Sequence, residues 1–301
     1  MVTTKWQCFL WWVISFAAGG AVVFAQGGDA ANLRLSALRE RAKEVQSRTF
    51  GRAEECRSRP GLDCIAGEAG ELRELLRDYS VWKLNEAGGD IDALRADFGT
   101  VDDGWVQERF SLMDRAEGNG RSKRGLGVPP HVFKELSSGR EMIVVVHRFG
   151  STALAFPSGI VIVQGFRKES GRYVFAAETG DSLFGIMDVD PVVKLESPVP
   201  GEMWLLISGQ VAGFMGHLGR ARIYGFDGDD FREIWKPEDR ETLRLTVKGD
   251  EVRSTFLAPR IYRFGRDMQN CMDETVRLLP MGVVLARQAN NGECGDPGRQ
   301  R

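Results

Sequence analysis

Hydrophobic positions change period along the chain. Before residue 118 they recur at helical steps, first as Leu35, Leu38, Ala42 and Val45, then as Leu72, Leu75, Leu76, Tyr79 and Trp82. That spacing predicts two amphipathic helices. A shorter helix is expected over 90–98, and another over 103–116, opened by Asp102 or Asp103 and stopped by Gly118. From residue 141 onward, short β-branched and apolar runs are separated by Gly, Asp and Pro. "EMIVVVHRF", "GIVIVQGF", "GRYVFAAE" and "PVVKLESP" read as four strands, and "EMWLLISGQ", "RARIYGF", "DFREIW" and "EVRSTFLAP" as four more.

The two sets keep register. Glu141-Met142 matches Glu202-Met203, Gly165-Phe166 matches Gly225-Phe226, Glu178 matches Glu238 and Pro198 matches Pro259, at offsets of 60 or 61 residues. A constant period argues for duplication of one supersecondary unit whose copies complete each other's core. The fold class expected is α+β: an N-terminal helical module followed by a mainly antiparallel β domain of two four-stranded meanders. "RIYRFGR", "TVRLLP" and "GVVLARQ" read as a partial third copy. Closing a propeller takes at least ~4 blades, so an open stack, sandwich or barrel is expected. The divisions are a signal peptide at 1–25, the helical module at 26–118, a connector at 119–140, the β domain at 141–290 and a tail at 291–301.

The N-terminus sets the compartment. One lysine precedes the uncharged "WQCFLWWVISFAAGGAVVFA", which ends in small residues before Gln26. A positive charge, an apolar core and such a junction mark an export signal. The stretch also approaches the ~20 residues that cross a bilayer, so an uncleaved anchor at 6–25 is the alternative. Removal of the signal leaves Cys56, Cys64, Cys271 and Cys294, an even number that exported chains keep as disulfides. The expected pairs are 56 with 64, across the Pro60-Gly61 turn, and 271 with 294. A four-cysteine zinc site needs closer spacing.

Charge narrows the partners. With 40 basic and 42 acidic residues and a net charge of -2, the chain has no general field to draw it to nucleic acid. The run "RSKRG" reads as a solvated connector. Membrane contact is expected only if the N-terminal segment stays uncleaved. The partner expected is a protein or glycan outside the cytoplasm, and no cofactor is implied. A bias to Arg over Lys accords with a GC-rich bacterial source.

Candidate chemistry is sparse. In "IYGFDGDDFREIW", Asp227 and Asp229 fit the first two ligand positions of a calcium loop, but Phe231 occupies the third. Asp227-Gly228 is also a hairpin signal, so a turn is expected there, with the weak cation site as alternative. Ser80 and Lys83 match S-x-x-K without its partner motifs. His147 ends an apolar strand run and reads as a core imidazole, and His131 is placed at a helix start. The strand-joining segments "RFGSTALAFPSG" and "GQVAGFMGHLG" carry Phe149, Phe156, Phe214, Met215 and His217 among small residues. Two such loops on one rim would form a ligand groove, because binding residues often sit on loops held by a rigid scaffold. The chain is thus read as an exported, non-enzymatic binding or scaffolding protein of the bacterial envelope or extracellular space. The alternatives are a secreted hydrolase with a carboxylate-based site, which carries no sequence spacing to find it by, and a membrane-anchored interaction protein.

Overall fold

The structure is a computed structural model. It describes residues 30–41, 44, 66–98, 131–137, 139–151, 158–179, 192–213, 216–257, 261–263, 266–268 and 270–293. The expected helix over 103–116, the 1–25 segment, Ala42, Val45 and the cysteines Cys56, Cys64 and Cys294 lie outside them.

Three helices precede the sheets: α1 (30–41), α2 (Ala66–Glu86) and α3 (91–98). Of the predicted stripes, Leu38 on α1 and Leu72, Leu76 and Tyr79 on α2 are buried and Leu35, Leu75 and Trp82 partly so, while Leu84 on α2 and Leu94 and Phe98 on α3 complete this core. Asp90 caps α3 by accepting a hydrogen bond from the Asp92 N–H at 2.9 Å. Between α2 and α3 the chain turns at Gly88 and Gly89, both at positive φ. A Cβ on Gly89 would lie 2.0 Å from the Tyr173 hydroxyl, so this turn is pressed against the first sheet.

That first sheet is an antiparallel meander in the order β1 (His131–Ser137), β2 (Arg140–Ser151), β3 (Ser158–Glu169) and β4 (Arg172–Glu178). A second, eight-stranded sheet holds β5 (Val193–Leu195), β6 (Met203–Gly213), β7 (Gly216–Phe226) and β8 (Phe231–Trp235). It continues into β9 (Arg240–Lys248), β10 (Glu251–Leu257), β13 (Asn270–Leu279) and β14 (Gly282–Glu293). β11 (Ile261–Arg263) and β12 (Arg266–Met268) form a separate short pair. Neither sheet is closed. The mostly antiparallel β architecture behind N-terminal helices is as expected.

The phase of the meanders is not. "PVVKLESP" supplies β5, which pairs with β6 and so opens the second sheet rather than ending the first. β1 lies inside the stretch read as connector, and His131 opens that strand instead of a helix. β9 falls in a stretch where no strand was expected, and the run "EVRSTFLAP" contributes β10 to a later meander.

Burial explains the layering. Met142 to His147, Val161 to Phe166, Met203 to Ser208 and Ala221 to Phe226 are buried without a break. Strands covered on both faces lose the apolar–polar alternation and read as continuous apolar runs. Ile143, Val145, Ile162 and Phe166 face the helices. Met142, Val144, Val146, Val161 and Val163 face Met203, Leu205, Ile207, Tyr224 and Phe226 of the second sheet. On the far side of β6 and β7, Trp204, Leu206 and Ile223 pack against Val252, Val276 and Leu278. The eight-stranded sheet achieves this by bending, since β8 and β9 share one edge of β7. The order of layers is helices, first sheet, β5–β8, then β9, β10, β13 and β14.

The first two β layers approach closely at Gly165. A Cβ there would lie 2.5 Å from the Phe226 ring. Gly165→Ala is expected to destabilise the fold by about 1–3 kcal/mol through overpacking, read as a lowered thermal midpoint. His147 is fully buried edge-on to Phe98 at 4.5 Å, and desolvation lowers its pKa to about 3 from 6.5. The folded state therefore holds it neutral while the unfolded chain protonates. Its contribution to stability is intact above pH 6.5 and declines by about 1.4 kcal/mol per pH unit as pH falls toward 3. Denaturant titrations at stepped pH should show this slope shrink in His147→Phe.

Candidate functional site

Among the described residues, no further sheet lies beyond the last layer of the stack. Leu243, Leu245 and Val247 of β9 turn inward, as do Val252 of β10 and Val276 and Leu278 of β13. Because side chains alternate, Arg244, Thr246 and Lys248, then Glu251, Arg253 and Thr255, then Asp273, Thr275 and Arg277, point outward. The ladders align them in rows across the strands. Thr246 faces Arg253, Arg253 faces Thr275, and Thr275 faces Arg287 of β14. Beside this row runs Lys248, Glu251 and Arg277, and on its other side Arg244, Thr255 and Asp273. A bulge between Thr275 and Val276 in the β13–β14 pairing offsets β14, so Arg287 stays on the outer face.

The outer face is hollowed into a cavity of about 340 Å³ that reaches from Thr246 and Lys248 across to Arg287 and Ala289. Its lining carries three cations (Lys248, Arg253 and Arg287) against two anions, Glu251 and Asp273, an excess of one positive charge, and Arg244 and Arg277 stand beside it on the same face. The whole chain carries -2, so the basic character is local. Asp273 is the anchor, with a side chain only 9% exposed. It accepts the Thr255 hydroxyl at 2.6 Å and is salt-bridged by Arg253. Arg277 is held by Glu251 at 2.7 Å and by Asp250 at 3.5 Å. Arg244, Lys248 and Arg287 have no acidic partner among the described residues, and the Thr246 and Thr275 hydroxyls have no hydrogen-bond partner among them. Such a surface offers guanidinium and ammonium groups for an anion and hydroxyls for a polar neighbour.

The other candidates are accounted for differently. Asp227 and Asp229 form the β7–β8 turn. The Asp227 carboxylate accepts the N–H groups of Asp229 and Asp230 at 2.8 and 2.9 Å. Burial would raise its pKa, but those backbone hydrogen bonds outweigh the effect and hold it below the usual carboxylate range. Asp229 bridges to Arg140 at 3.0 Å and Arg167 at 2.5 Å in the first sheet. This acidic run thus ties two sheets together. Among the described residues, no group of three or more His, Cys, Asp or Glu side chains is placed to hold a metal ion.

Ser80 is fully buried and donates to the Leu76 carbonyl at 2.6 Å, while Lys83 pairs with Asp97 at 2.9 Å, so the S-x-x-K pair does not converge. Trp204 is fully buried and donates to Glu202 at 2.7 Å, and Trp235 packs on the same core, so neither is a platform for a sugar ring. Glu141 gathers Lys134, Lys168 and the Tyr173 hydroxyl where the α2–α3 turn meets the first sheet. Burial opposes ionisation of Glu141, but its hydrogen bonds from Lys134 and Tyr173 win and hold its pKa down. Phe149 lies on β2 opposite Ile160, and His217 on β7 opposite Ala212. Phe156, Phe214 and Met215, the rest of the expected loop groove, lie outside the described residues.

The outer face was missed in the sequence although a signal for it exists. "TLRLTVK" alternates apolar and polar residues strictly, the mark of a strand with one solvent face. No protein-family model, curated protein or solved structure matches this chain, so its own geometry carries the reading of its function.

Proposed function

We propose that this chain is an exported binding or scaffolding protein of the bacterial envelope or extracellular space, with the outer face of β9, β10, β13 and β14 as its ligand surface. The observation that carries the reading is the concentration of unpaired cations and hydroxyls, Lys248, Arg287, Thr246 and Thr275, around a cavity on that face. A layer that only sealed the core could leave its outer side to paired charges. Ser80 and His147 lie fully buried, outside the lining of that cavity.

Export belongs to the same proposal. No described helix is long and apolar enough to cross a membrane, and the 6–25 segment is read as a cleaved signal. The pairing of Cys271 with Cys294 belongs to the same reading; Cys271 lies on β13, whose partner strand β14 ends at Glu293, and Cys294 lies outside the described residues. A disulfide there would pin the end of β14 to β13. Duplication at a period of about 60 residues belongs to the same reading and rests on the sequence matches, such as Gly165-Phe166 with Gly225-Phe226.

Three measurements test these readings. The purified exported chain should begin at Gln26 by N-terminal sequencing, and a start at Met1 would return the anchored reading. Peptide mapping before and after reduction should show one fragment joining Cys271 to Cys294, and free thiols at both would exclude it. The chain should cosediment with isolated bacterial envelopes, whereas Lys248→Glu/Arg287→Glu stays in the supernatant. Both substitutions are at exposed positions and should change stability by no more than about 0.5 kcal/mol. Equal sedimentation of the two proteins would remove the outer face from the function.

A further inference from the structure

The cavity on the outer face has a mixed chemistry that narrows its ligand. We infer that it binds an acidic oligosaccharide, a sugar chain carrying carboxylates, laid across β9, β10, β13 and β14. This rests on the reading of that face as the ligand surface and adds the class of ligand.

Size comes first. At about 340 Å³ the cavity is at the small end of the range for sites that take small ligands, and it is open to solvent along the sheet. It suits a short stretch of an extended polymer. Strands lie about 4.8 Å apart, so Arg253 on β10 and Arg287 on β14, two strands away, are separated by roughly 10 Å at the backbone. Two cationic forks at that separation meet negative groups spaced along a chain, not one compact anion.

Charge and hydrogen bonding then discriminate between polymers. The net positive lining, with Lys248 and Arg287 lacking acidic partners among the described residues, selects for negative charge. A purely anionic polymer without donors, such as polyphosphate, would also meet Asp273 and Glu251, which line the same cavity. A ligand that brings hydroxyl donors together with carboxylates uses both signs. Its carboxylates go to Lys248 and Arg287, and its hydroxyls to Thr246, Thr275 and the Asp273 carboxylate. A nucleic acid strand would need aromatic side chains for base stacking, and none lines the cavity. An acidic peptide binds to sheets mainly by adding a strand at an edge, through backbone groups that a sheet face does not offer.

The test is titration calorimetry at low salt with oligomers of galacturonate, mannuronate and glucuronate. A neutral cello-oligosaccharide, inorganic polyphosphate, poly-glutamate and a single-stranded oligonucleotide serve as the competing classes. Binding of at least one uronate oligomer, tighter than all four comparators and weakened by salt, is expected. Lys248→Ala and Arg287→Ala should each lower that affinity about tenfold, the loss of one charge-assisted hydrogen bond. Asp273→Asn should weaken the uronate and leave polyphosphate unchanged or tighter, and thermal midpoints of all variants check folding. Failure of every uronate to bind, tighter binding of any comparator, or an unaltered affinity in both cation variants would overturn the inference. If the uronates fail while envelope sedimentation still depends on Lys248 and Arg287, the ligand class is wrong and the surface stands. If both fail, the underlying reading of the face is wrong.

Discussion

The architecture depends on bringing β layers together with nothing between them but side chains. At the seam of the first two, the Phe226 ring occupies the space a Cβ on Gly165 would need. Close packing of this kind gives up hydration on both sheet faces and returns dispersion contacts and buried apolar area. It also makes β2, β3, β6 and β7 mostly apolar on both sides, with His147, Gln164, Ser208 and Arg222 as buried polar exceptions. One buried imidazole, His147, is held neutral by the same desolvation that stabilises its neighbours.

A stack of sheets has to end, and its two ends are finished differently. At the N-terminal end the helices cover the first sheet, and Asn85 on α2 supplies a local device. Its amide donates to the Tyr173 carbonyl and accepts the Tyr173 N–H, both at 2.8 Å, so two free backbone groups of edge strand β4 are satisfied by a side chain. This closes part of an edge that could otherwise pair with another molecule. Gln164 adds a hydrogen bond to the Arg73 carbonyl of the same helix at 2.9 Å. The helical module is thus fastened to the sheet by polar groups as well as by its leucine stripe.

At the other end the last meander keeps an open face, and solvent replaces the next layer. Its outward residues are polar for that reason alone, but polarity does not require a cluster of cations without partners around a hollow. Among the described residues acidic and basic side chains are mostly matched: Asp229 serves Arg140 and Arg167, Glu202 serves Arg232, and Asp239 accepts from Nε and one Nη of Arg220. The outer face of β9, β10, β13 and β14 departs from that habit. Asp273 is tied within its own sheet, while Lys248 and Arg287 are left to the solvent side.

Periodicity determined a good deal. Helical spacing of Leu72, Leu76 and Tyr79 placed the buried stripe of α2, and continuous runs such as Met142 to His147 marked strands covered on both faces. The turn at Asp227 was legible as well, because Asp-Gly prefers a tight hairpin and the site lacked a third ligand position. These are local properties, set by how a backbone repeats and by which residues tolerate a turn. Grouping of strands was not local. Whether β5 closes one meander or opens the next depends on which edge it pairs with, and its three residues pair just as well by pattern in either direction. The candidate surface was further from view, since Thr246, Arg253, Thr275 and Arg287 become neighbours only through three successive ladders and a bulge that sets the facing of β14. A linear pattern records that each of them points away from the core, but their meeting around one cavity is decided by registers formed between distant segments, and those are set by packing across the fold.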